Sequence, residues 1–232
     1  MSPEELPEIL PDEKPDAALV ARIAAAVAGG ARPVRPAPAA GRMVVALLSA
    51  LAATSAAGGA ALGFFGVELL GRGAVALIFP ALAGFALLAA VASVNAMRPG
   101  SRRLFRPAIL MAAGCAALAA VFFLIFRDYT LGRFVPQGLV CLRAGLVWSA
   151  PTGLAVWLLL RRGYAVDRAA AGLAAGTFAG LGGLAVLELH CANFRVWHIV
   201  SWHLAVVPLS ALAGWAAAYF FGSKRRAAEL MQ

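Results

Sequence analysis

The chain has 232 residues, of which 62% are hydrophobic and only 13% charged, and its mean hydropathy is +0.83. Soluble domains run near half apolar and a quarter charged, so a water-soluble chain of this length could not hide so much apolar surface. The formal charge of +9 is read as arginines that flank membrane spans and set topology, not as a nucleic-acid surface, and three cysteines are too few to staple a small secreted fold.

Residues 1–16 carry Glu4, Glu5, Glu8, Asp12, Glu13 and Asp16, interrupted by Pro3, Pro7, Pro11 and Pro15, a composition that argues against fixed structure in isolation. Asp16 can then cap a short helix whose Leu19, Ile23 and Val27 fall on one stripe, and Gly29-Gly30 ends it. Residues 31–42 (ARPVRPAPAAGR) read as a semi-extended Pro/Ala linker. With no early apolar stretch, no cleavable leader is expected, and the first span serves as its own insertion signal.

Apolar runs of about 20 residues, the length that crosses a bilayer core, follow at about 43–65, 74–96, 107–126, 138–160, 168–190 and 197–221. The fold class is therefore all-α: a polytopic bundle of six transmembrane helices. Pro80, Pro151 and Pro208 lie inside spans, where neighbouring helices can satisfy the freed backbone groups. In span five Gly172, Gly176 and Gly180 recur every four residues. Such a face lets another backbone approach closely, which predicts a central, tightly packed helix, with a homodimer through these glycines as the alternative.

Basic residues crowd alternate loops. One side holds Arg32, Arg35, Arg42, Arg98, Arg102, Arg103, Arg106, Arg161, Arg162, Arg168, Lys224, Arg225 and Arg226, the other only Arg72, Arg127, Arg133 and Arg195. The positive-inside rule then places both termini in the cytoplasm. The expected organisation is a cytoplasmic tail over 1–42, a membrane domain over 43–221 and a basic cytoplasmic tail over 222–232.

Cys141 opens span four and Cys191 closes span five. The two helices run in opposite directions, so both thiols sit at the same outer boundary, where disulfides are permitted and where a bridge forms if the Cα atoms come within about 7 Å. Arg143 and Glu188 lie just inward of them. Each is an isolated charge in an apolar span, which is costly without a partner, and an Arg143–Glu188 pair is expected. The segment ELHCANFRVWHIVSWH gathers His190, His198 and His203, all the histidines of the chain. Thiols and imidazoles are ligands for zinc and copper, so the choice is between a metal site and a hydrogen-bonded, redox-linked cluster. His198 and His203 are five apart and would not share an α-helical face as a spacing of four would. Cys115, mid-span with no polar neighbour, reads as a packing residue. No phosphate-binding loop, metalloprotease helix or serine elbow occurs, so no catalytic residue and no cofactor is expected.

Six spans behind a short tail, GLVCLRAG at the head of span four, LLLRRG closing it and LELHC ending span five resemble the NrsF family of membrane anti-sigma factors over roughly 43–221. The resemblance implies a bacterial inner-membrane protein that is not an enzyme and touches no nucleic acid directly. It implies that an extracytoplasmic-function sigma factor is held inactive and released when periplasmic redox or metal stress acts on Cys141 and Cys191. Since the partner is cytoplasmic, the Leu19–Ile23–Val27 stripe is a candidate to lie in its groove; its other expected resting place is the lipid surface. A thiol oxidoreductase and a small metal-linked transporter are the competing readings. The first wants a closely spaced cysteine pair and the second paired half-helix breaks, and neither is visible.

Overall fold

A computed structural model describes residues 16–30, 38–98, 100–101, 106–161, 165 and 167–229. The acidic, proline-rich residues 1–15 and linker residues 31–37 lie outside that set, as do Arg102, Arg103 and Arg162 of the basic loops.

The segment ending at Pro36 forms a unit by itself. Its one described element is α1, Ala17–Gly30. The Asp16 carboxylate accepts the backbone N–H of Ala18 at 2.9 Å, satisfying a donor that the first turn leaves orphaned. Leu19, Ile23 and Val27 are all exposed on it.

The second unit, Ala37–Gln232, is a helical bundle. Its elements are α2 (Ala40–Leu62), the short α3 (Phe65–Leu69), α4 (Arg72–Ala96), α5 (Pro107–Ile125), α6 (Phe134–Leu160), α7 (Arg168–His190), α8 (Val196–His198) and α9 (Val206–Glu229). A π turn over Ile199–His203 joins α8 to α9. Among the described residues, six helical stretches are long and apolar enough to cross a membrane, as expected, and the last of them runs Val196–Phe220 through the π turn. The boundaries lie within a few residues of those read from hydropathy. The largest difference is at α6, which starts four residues early because Pro136 fits in the first helical turn, where no intrahelical N–H bond is lost. The basic residues Lys224, Arg225 and Arg226 continue α9.

Helix α7 is the axis of the bundle. Its apolar window is 83% buried, against 17–39% for the other five, and it packs against α9, α6, α4 and α2. The glycine ladder explains how. A Cβ on Gly180 would lie 2.7 Å from the Val207 Cα, and one on Gly172 or Gly176 would strike the carbonyl oxygen of Gly214 or Ser210. On another face, a Cβ on Gly183 would strike the Gly145 carbonyl of α6. Helix backbones are thus in direct contact along two seams, the arrangement that drives association in lipid through dispersion. This corrects the alternative of a homodimer through span five: α9 of the same chain already occupies the Gly172–Gly176–Gly180 face.

Three connections meet at one end of the bundle. A Cβ on Gly66 of α3 would lie 2.8 Å from the carbonyl oxygens of Cys191 and Glu188. The Val196 N–H donates to the Asp128 carbonyl at 2.8 Å, and Arg195 pairs with the Asp128 carboxylate at 3.5 Å. The Asn193 amide donates to Gln137 Oε1 at 3.1 Å. Phe126 and Phe194 stack with centroids 5.6 Å apart. These contacts fix the 191–195 segment, and with it the entrance to the last helix.

Candidate functional site

The site is assembled from the start of α6, the end of α7 and the π turn, and it follows from where each polar side chain must go in an apolar bundle. Cys141 and Cys191 meet: their Sγ atoms are 3.7 Å apart, both thiols are free and both residues are partly buried. That distance suits a weak S–H···S hydrogen bond and exceeds the ~2.05 Å of a disulfide by about 1.6 Å.

His198 and His203 complete the cluster. His198 Nε2 lies 3.7 Å from Cys191 Sγ, and the two imidazoles meet edge to face with centroids 5.0 Å apart. On an α-helix, five residues turn about 500°, leaving such a pair about 140° apart. The chain instead widens into a π turn, in which the Leu204 N–H reaches back five residues to the Ile199 carbonyl at 3.0 Å. Such bulges are rare and gather at functional sites. The expectation that His198 and His203 would not share a face is corrected by this single turn.

Glu188 is buried at 4% exposure, and its carboxylate meets His203 Nδ1 at 2.9 Å. This corrects the expected Arg143–Glu188 pair. Arg143 stands two residues from Cys141, about 200° around the helix. Once Cys141 faces α7, Arg143 must face away, and it is exposed on the outer side of α6. Glu188, three residues before Cys191, stays on the cluster's face and finds the imidazole there. A buried carboxylate without a partner would be expensive, so this hydrogen bond to the imidazole is what permits Glu188 in the core.

His190 is not part of the cluster. Its Nδ1 lies 3.3 Å from the Gly63 carbonyl and its ring packs beside Phe65, centroids 5.9 Å apart, tying α7 to the turn before α3. Trp202 of the π turn packs on Phe134 with centroids 5.3 Å apart and fills the space over Gly138. Cys115 is partly buried against the core.

Two features escaped the sequence. Asp128, in the loop after α5, anchors the segment that presents Cys191, and hydrogen bonds from Thr130 hold its carboxyl below the usual carboxylate range. The Cys191 thiol is likewise held below its ordinary range, first by its hydrogen bond with Cys141 and then by the two imidazoles, which together outweigh its burial. A thiol of this kind carries more thiolate, the form that attacks disulfides and binds metals. The one signal for the cluster in the sequence was the crowding of all the histidines around Cys191.

Six helices long and apolar enough to cross a membrane, gathered around a close-packed axis with a partly buried thiol–imidazole cluster at one end, define the class as a multi-pass helical membrane protein. The model of the NrsF family, negative regulator of sigma F, matches residues 27–221, and the chain belongs to that family. Membership indicates a negative regulator of a sigma factor and bears out the resemblance read from the GLVCLRAG and LELHC segments. No curated protein and no solved structure matches the chain.

Proposed function

We propose that this protein holds an extracytoplasmic-function sigma factor at the bacterial inner membrane and releases it when the thiols of Cys141 and Cys191 change state under periplasmic redox or metal stress. The observation that carries the reading is the 3.7 Å approach of those two sulfurs across α6 and α7, fifty residues apart in the chain. The excess of arginine on the opposite loops supports the orientation in which both termini and the 98–106 and 161–168 loops are cytoplasmic, with the cluster facing the periplasm.

The chemistry is thiol–disulfide exchange. The Cys191 thiolate attacks a disulfide-bearing oxidant and expels one of its sulfurs as thiolate. Cys141, on losing its proton, then displaces the second sulfur from the mixed disulfide, closing the Cys141–Cys191 bond while the oxidant leaves as a dithiol. Closing the gap draws the sulfurs together by about 1.6 Å. One turn inward of Cys141, Gly145 is packed against Leu187 and Val206, so little slack separates the bond from the seam. Close-packed interiors pass on such strain and do not absorb it. Helices α6 and α7 are joined at the far end through residues 161–167, which is the end that would face the sigma factor. A disulfide is worth about 2–4 kcal/mol, enough to move a balanced two-state equilibrium roughly 30- to 700-fold.

The exposed Leu19, Ile23 and Val27 of α1 supply an apolar stripe that suits a groove on the sigma factor. Pull-down of a co-expressed extracytoplasmic-function sigma factor from detergent-solubilised membranes tests the reading. The full chain is expected to retain it, and a chain lacking residues 1–30 to lose it; equal retention by both removes α1 as the binding segment, and no retention by either removes the sigma-factor partner.

A further inference from the structure

We propose that Cys141, Cys191, His198 and His203 together form a tetrahedral Cys2His2 site for zinc. The four residues each offer a ligand atom, and these atoms all lie within 4.8 Å of one another. The spacing is close to what the ion demands. With Zn–S of about 2.3 Å and Zn–N of about 2.0–2.1 Å, a tetrahedron sets S···S near 3.8 Å and S···N near 3.6 Å. Here the Cys141–Cys191 sulfurs are 3.7 Å apart and the Cys191 sulfur is 3.7 Å from His198 Nε2. A cation entering between them requires little movement of the helices.

Two independent observations point to a ligand. His203, 1% exposed, has its Nε2 buried and without a hydrogen-bond partner, although buried polar atoms are almost always satisfied. Its other nitrogen, Nδ1, faces the Glu188 carboxylate at 2.9 Å. A carboxylate on one ring nitrogen places the proton there and turns the lone pair of the other toward the ion, the usual outer support of a zinc-bound histidine. The second observation is the π turn, found only here among the described residues, which brings the His198 and His203 rings within 5.0 Å of each other.

The donor set selects the metal. Two thiolates and two imidazoles suit zinc and soft transition metals, whereas calcium and magnesium require oxygen donors. Four protein ligands close the coordination sphere, as in structural zinc sites. Two thiolates also cancel the charge of the dication, which matters in an apolar surround. Because one pair of sulfurs cannot bind zinc and form a disulfide together, bound zinc would hold the sensor reduced; that consequence, unlike the site itself, rests on the sensor reading above.

The test uses the full chain, purified in detergent under reductant, stripped with EDTA and titrated with Co2+ alone. We expect one equivalent to bind, with the strong visible absorption of tetrahedral Co2+ and a near-ultraviolet sulfur-to-metal charge-transfer band, both displaced by Zn2+. Cys141→Ser/Cys191→Ser is expected to lose the charge-transfer band. Glu188→Gln, which keeps a hydrogen-bond acceptor, is expected to bind about 10- to 100-fold more weakly. X-ray absorption on the zinc-loaded wild-type chain gives a readout that needs no variant, and two sulfur and two nitrogen neighbours are expected. No charge-transfer band in the folded wild-type chain, or a zinc shell without sulfur, overturns the site. Sigma-factor capture by the metal-stripped chain separates the two claims: capture without cobalt binding removes the metal site alone, while cobalt binding without capture removes only the sensor consequence.

Discussion

The seam between α7 and α9 gives the sharpest energetic prediction. In Gly176→Ala, the added Cβ would lie 2.7 Å from the Ala211 Cα and 2.9 Å from the Ser210 carbonyl carbon, while ordinary contact begins near 3.4 Å. Those are backbone atoms that cannot rotate away, and the Ser210 carbonyl oxygen lies closer still, so the helices must part by at least about 0.7 Å. A gap of 0.5–1 Å forfeits a quarter to a half of each van der Waals well of about 0.1–0.2 kcal/mol, and a few tens of atom pairs line the seam. The expected loss is about 1–3 kcal/mol, in line with overpacking elsewhere, or roughly 5- to 150-fold in the folded-to-unfolded ratio. Gly84→Ala in α4 is the control, because a Cβ there meets nothing within 4 Å and alanine favours the helix by up to about 1 kcal/mol. Reversible unfolding of the full chain from mild detergent into SDS, followed by circular dichroism, gives both values. If Gly176→Ala unfolds at the same SDS fraction as Gly84→Ala, the helices are not in backbone contact and the central role of α7 is wrong.

Glu188→Leu leaves the His203 imidazole without its buried partner and is expected to cost about 1–3 kcal/mol in the same assay, whereas Arg143→Leu, on an exposed outer face, should be neutral or stabilising; a larger loss at Arg143 would restore the pairing expected from the sequence. For topology, a cysteine introduced at Tyr129 in a cysteine-free chain should react with an impermeant maleimide in intact spheroplasts, and one at Lys224 only after lysis. Reversed labelling would invert the orientation on which the periplasmic sensor depends. Oxidation of the wild-type chain with a small disulfide should lower its mass by two hydrogens and consume two thiols, leaving Cys115 free; formation of intermolecular dimers through Cys115 would contradict its placement as a packing residue.

The six spans were legible because the bilayer imposes a length and a composition that any window of sequence reveals. So was the meeting of Cys141 and Cys191, which needs only two antiparallel neighbouring helices and matched depth. The glycine ladder announced a close seam, but a four-residue repeat does not say whose backbone fills it, and only the packing assigns it to α9. The Arg143–Glu188 pairing failed on rotation: depth was matched, yet residues two apart on a helix point in opposite directions, and the exposed Arg143 follows from Cys141 facing inward. His198 and His203 were marked as cluster candidates, but their meeting on one face was missed for a related reason. An α-helical wheel separates His198 from His203, and no residue type in IVSWH marks the local change of winding that reunites them. Asp128 was invisible because its partners, Thr130, Arg195 and Val196, come partly from a loop more than sixty residues away.

The central claim is that the state of one thiol pair sets whether the sigma factor is held. Its most direct test is the distribution of a co-expressed sigma factor between membrane and cytosol before and after brief exposure of cells to a disulfide-forming oxidant, in wild type and in Cys141→Ser. The account predicts movement to the cytosol in the wild type and continued retention at the membrane in the variant. Equal release from both, or retention by a wild-type chain whose Cys141–Cys191 bond has formed, would contradict it.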